Sequence, residues 1–99
     1  MIKNYEEALT LLRKAQDIES HPDAIGSALS IYRELAEWIA SVSLHAEKPA
    51  ASATQMKELR DEVLYAVWQY HGSDNEYLWE SSLTMIDLLA MGSEDAEFL

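Results

Sequence analysis

The feature that most restricts this chain is a spacing. Along nearly all of its 99 residues, apolar side chains recur at intervals of three and four, and no segment alternates singly for long enough to make a strand. Tyr5, Ala8, Leu9, Leu12, Ala15 and Ile18 form one helical stripe. Asn4, with Glu7 three residues on, reads as a capping box at its start. Ser20-His21-Pro22 ends the segment, because proline lacks an amide proton and disfavours helix in the residue before it, while Pro22 itself suits the first turn of a second helix.

That second helix carries Ile25, Ala28, Leu29, Tyr32, Leu35, Ala36, Ile39 and Val42 on one side, and Ile31 with Trp38 widens the stripe. Such breadth predicts more than one helical neighbour. Gly26 costs about 1 kcal/mol relative to alanine inside a helix, so it either marks a later start or permits a close crossing, and the close crossing is the reading preferred. His45 to Ala51, centred on Pro49, is the one linker, and Ser52 with Gln55, or Thr54, can cap the next helix. The third helix shows Met56, Leu59, Val63, Ala66, Val67 and Tyr70 at core spacing and stops at His71-Gly72, where glycine suits a left-handed cap. Ser73 with Glu76 forms a second capping-box pattern. The fourth helix places Leu78, Trp79, Leu83, Met85, Ile86, Leu89 and Ala90 on one arc and ends at Gly92.

The predicted fold is all-α: a small antiparallel four-helix bundle, with an irregular four-helix array as the alternative. A chain of this length builds one core. Residues 1–92 form the helical domain, and residues 93–99 form an acidic tail ending on Phe98 and Leu99.

Charge is distributed unevenly. All seven Lys and Arg residues stand at or before Arg60, where nine acids accompany them and leave −2; residues 61–99 hold nine acids and no cation, leaving −9. On helix four, at about 100° per residue, Glu76, Glu80 and Asp87 fall in one narrow sector with Ser73 and Thr84, opposite the apolar arc. Like charges four apart weaken a helix by a few tenths of a kcal/mol, so helix stability gives no reason for this ridge. Solubility is one explanation. Complementarity to a basic protein surface is the other, and it excludes nucleic acid and anionic membranes as direct ligands, since both need clustered cations. Affinity needs apolar anchors beside the charge. Leu64 and Trp68 lie about 100° from the main stripe of helix three with Asp61 and Tyr65 beside them, and Tyr77 and Leu88 flank the ridge on helix four. The expected partner-binding residues are therefore Glu76, Glu80 and Asp87, then Asp61, Trp68, Tyr77, Leu64 and Leu88. A homodimer seam through Leu64 and Trp68 satisfies the same pattern.

Chemistry is sparse. With no cysteine there is no disulfide, thiolate nucleophile or zinc ribbon. His21, His45 and His71 each stand at a helix boundary, too far apart in sequence to share a helical face, and read as capping or dipole partners. Glu58, Asp61 and Glu62 are close on helix three but lack the oxygen-rich loop that calcium requires. No phosphate-cradling glycine motif or Gly-x-Ser-x-Gly elbow occurs. Met56, Met85 and Met91 read as gap-filling core. The expectation is a non-catalytic protein without cofactor or metal, an inhibitor, immunity protein or nucleic-acid-mimicking antagonist, with a homodimeric adaptor or chaperone as the alternative. The longest stretch without Asp, Glu, Lys or Arg, Val63 to Ser73, is eleven residues, against about 20 apolar ones for a membrane span. The acidic start, Met1-Ile-Lys-Asn-Tyr-Glu-Glu, is unlike a signal peptide. The expected location is cytoplasmic.

Overall fold

The structure, a computed structural model describing residues 2–44 and 53–91, consists of four helices: α1 (Tyr5–Glu19), α2 (Ile25–Leu44), α3 (Ala53–Trp68) and α4 (Glu76–Met91). No strand occurs among the described residues. The all-α bundle read from the apolar spacing is the observed fold. The predicted linker at 45–51, the Ser52 cap, Gly92 and the tail at 93–99 lie outside the described residues.

α1 starts where its cap dictates. The Asn4 side chain accepts a hydrogen bond from the Glu7 amide at 2.9 Å, and the Glu7 carboxylate accepts one from the Lys3 amide at 3.0 Å. The reciprocal pair holds two amide protons that no helical carbonyl could take. At the other end the Ser20 amide and hydroxyl both donate to the Asp17 carbonyl. A short 3₁₀ turn, Pro22–Ala24, then leads into α2, so proline stands where its missing donor costs nothing.

α2 is the hub. α1, α3 and α4 all pack on it, and α3 packs on α4; α1 and α3 approach each other sparsely, and among the described residues α1 does not meet α4. The cause is the breadth of the α2 stripe. Ala28, Leu29, Tyr32, Leu35, Ala36, Ile39, Ala40 and Val42 are buried, with Ile31 and Trp38 half-buried against the same core. Leu12 of α1, Leu59, Val63 and Val67 of α3, and Met85 and Leu89 of α4 complete it. Met56, half-buried, also packs there.

Four local expectations are corrected. Gly26 permits no close crossing: it stands in the first turn of α2, exposed, and a Cβ placed on it would meet nothing within 4 Å. Gly26→Ala is therefore expected to raise stability by about 0.5–1 kcal/mol, through lower freedom of the unfolded chain; a chemical-denaturation midpoint that stays put or falls would contradict so open an environment. Gly72 is not a left-handed cap. The last turn of α3 tightens into a 3₁₀ segment, Gln69–Gly72, closed by the Ser73 amide donating to the Tyr70 carbonyl at 3.2 Å. Asn75, not Ser73, caps α4: its side-chain oxygen accepts from the Tyr77 amide at 2.9 Å and, more weakly, from Leu78, while the Ser73 hydroxyl accepts from the Asn75 amide. Finally, Trp79 is 40% exposed and Ser82 is fully buried in the arc with Met85 and Leu89. The Ser82 hydroxyl donates to the Trp79 carbonyl at 2.7 Å, which satisfies it within its own helix and lets a small residue occupy the interior at little cost.

Candidate functional site

Two acidic surfaces emerge, one on α4 and one between α1 and α3. On α4, Glu76, Glu80 and Asp87 are all exposed and share the sector facing away from Ser82, Met85 and Leu89. Two ion pairs on the helix surfaces, Arg33–Glu37 at 3.4 Å and Lys57–Asp61 at 2.9 Å, are each closed within a single helix. Among the described residues no Lys or Arg lies within ion-pair distance of Glu76, Glu80 or Asp87. Tyr77, beside them, is 61% exposed. Leu88 is half-buried and packs against the core, so it supports the ridge from beneath.

Asp61 belongs elsewhere. It lies on α3, with its charge answered by Lys57, and lines a groove of about 750 Å³ between α1 and α3. From α1 the groove takes Tyr5, Leu9, Arg13, Gln16 and Glu19, a stripe at spacings of four and three; from α3 it takes Glu58, Glu62 and Tyr65, and from the 3₁₀ segment that follows it Gln69, again at four, three and four. Leu59 and Ala66 supply apolar lining, and Tyr32 of α2 lies at the base. The groove exists because α1 and α3 both lean on α2 and touch each other sparsely. Tyr65 is 85% exposed on its wall. Arg13 donates to Gln16 within α1 at 3.2 Å.

Glu19, Tyr32 and Gln69 of this lining also belong to a polar cluster. The Glu19 carboxylate accepts hydrogen bonds from the Tyr32 hydroxyl on one oxygen, and from the Tyr70 hydroxyl and the Gln69 amide on the other, the last at 2.7 Å. Three elements far apart in sequence meet there. Burial drives both phenols well above their ordinary range, because a phenolate would lose its solvation, and the Glu19 carboxylate, accepting each proton and repelling a second negative charge, drives them further. Both tyrosines are therefore neutral donors, and the cluster is a fastening rather than an acid–base pair.

Trp68 and Leu64 line neither acidic surface. Leu64 is half-buried against the core, whereas Trp68 is 56% exposed and stacks on His71 with ring centroids 4.9 Å apart. His71 thus serves as an aromatic shelf rather than a helix cap, with its Nδ1 buried and without a hydrogen-bond partner among the described residues. His21 precedes the first 3₁₀ turn without a side-chain capping bond; His45 lies outside the described residues. No three His, Asp or Glu side chains converge as a metal site among the described residues, and no described helix is long and apolar enough to cross a membrane.

The groove and the Glu19 cluster are what a search for contiguous sequence patterns misses. Their signal is a second periodicity that branches from the edge of the core stripe, Tyr5-Leu9-Arg13-Gln16 on α1, with Glu58-Glu62-Tyr65 on α3 and Gln69 just after it. Neither reads as a site until the two helices are placed side by side. No protein-family model, curated protein or solved structure matches this chain.

Proposed function

We propose that the protein is a small non-catalytic binding module that presents the outer face of α4 to a basic protein surface, acting as an inhibitor, immunity protein or antagonist of a nucleic-acid-handling protein. The observation that carries this reading is the set of Glu76, Glu80 and Asp87: exposed, without an ion pair among the described residues, and adjoined by an exposed tyrosine. Uncompensated carboxylates at helical spacing attract a cationic partner, speed its encounter and repel polyanions, while Tyr77 offers rigid contact area. In a nucleic-acid-handling partner such a face would occupy the phosphate-binding groove. The reading takes the cytoplasm as the place of action.

Glu80→Lys with Asp87→Lys is the test. Both positions are solvent-exposed, so the helical spectrum is expected to persist, while affinity for the basic partner captured from the source cell falls about tenfold or more and its salt dependence flattens. Capture that is equally tight and equally salt-sensitive in the variant would remove the proposal. The exposed Trp68 favours a second reading, a homodimeric adaptor or chaperone joined through that face. Light scattering separates the two, since a tight dimer that shields Trp68 from fluorescence quenchers supports the second reading over the first.

A further inference from the structure

We propose that the groove between α1 and α3 is a docking site for a basic amphipathic helix of a partner protein. The inference shares with the α4 reading the sign of the partner's charge and nothing else, because no α4 residue lines the groove. Its shape comes first. The walls are two helices, and the α1 wall runs from Tyr5 to Glu19, roughly 20 Å at the helical rise per residue. No sheet edge among the described residues offers backbone hydrogen bonds to an extended peptide, so an occupant that satisfies its own backbone fits best.

The lining then sets the chemistry. Leu9, Leu59 and Tyr5 provide apolar contact, and Tyr65, exposed on the rim, lies where it can cover an occupant. Around them stand four carboxylates, Glu19, Glu58, Asp61 and Glu62, against the single guanidinium of Arg13. Asp61 is answered by Lys57 and Glu19 by the tyrosine cluster. Glu58 and Glu62, four residues apart on one wall, have no ion-pair partner among the described residues. They call for Lys or Arg at matching helical spacing on the occupant. A second copy of this chain, at net charge −11, carries the wrong sign, as does its own last segment Ser93 to Leu99 with three acids.

The probe is a synthetic Leu/Lys amphipathic peptide of about 14 residues, matched in length to the groove, with its Leu/Glu counterpart as control. Saturable binding of the Leu/Lys peptide is expected, with a gain of helical ellipticity and amide shift changes centred on Tyr5, Leu9, Glu58, Glu62 and Tyr65. Glu58→Lys with Glu62→Lys should weaken it about tenfold, and Tyr65→Ala should weaken it without loss of fold, since that ring is exposed. Glu80→Lys with Asp87→Lys should leave it within about twofold. Absence of saturable binding, shift changes centred on α4, binding of the Leu/Glu control, or equal losses in both double variants would each overturn the inference. Failure of the peptide with intact α4-dependent capture sinks the groove alone; loss of α4-dependent capture with intact peptide binding sinks the α4 reading alone.

Discussion

Tyr32→Ala should lower the stability of the fold by about 4 kcal/mol, among the largest effects expected of any truncation to alanine in the molecule. Two contributions add. The Tyr32 ring is fully buried in the middle of α2, the helix on which the other three pack, and its removal leaves a cavity that those helices cannot close together. Its hydroxyl also donates to the Glu19 carboxylate, and a hydrogen bond to a charged group is worth more than a neutral one. For a chain of this size about 4 kcal/mol corresponds to a fall of roughly 15–30 °C in melting temperature, out of a total stability of order 5–15 kcal/mol. Tyr32→Phe separates the contributions by keeping the ring and losing the donor; about 1.5–3 kcal/mol is expected. Melting followed by far-ultraviolet circular dichroism checks both, and an alanine variant melting within about 5 °C of the parent would deny Tyr32 this place in the core.

How far the sequence foretold this arrangement depends on the range of the interaction. The inward faces were legible because burial against any neighbour demands the same three- and four-residue recurrence, and the width of the α2 stripe foretold its central position. The Asn4 cap was legible because its partner is three residues away. Gly26 and Gly72 were misread for a shared reason: glycine signals conformational freedom, but only the surroundings tell whether the position uses it, and at both sites they leave open space. Ser73 and Asn75 can each cap α4 from their residue type, and the choice falls to Asn75 through the path the chain takes out of α3. Trp79 belongs to the apolar arc by size, yet the smaller Ser82 sits at the centre, since a self-satisfied hydroxyl fits the interior better than a bulky indole there. Least legible was Glu19. Its partners are 13, 50 and 51 residues away, and no local pattern marks a carboxylate for such a role.

The same cluster predicts that the protein unfolds in alkali, and the direction can be worked through. An unfolded tyrosine loses its proton near 10.0, whereas Tyr32 and Tyr70 hold theirs to far higher pH in the folded state, first through burial and then through Glu19. Groups whose pKa is raised by folding contribute stability that is complete below the unfolded value and is lost as pH rises beyond it. Above pH 10 the unfolded chain therefore releases two protons that the folded chain retains, and stability falls by about 1.4 kcal/mol per pH unit for each tyrosine. Repulsion among the surplus acids adds to the decline without setting its onset. Absorbance of tyrosinate and helical ellipticity, followed together, should show two of the five tyrosines ionising only as the helices are lost. Tyr32→Phe with Tyr70→Phe should be less stable at neutral pH yet lose stability more gently above pH 10. Should the double variant keep the parent's alkaline slope, or all five phenols ionise while the helices persist, the Glu19 cluster would not be the fastening that joins the end of α1 to α2 and to the turn after α3.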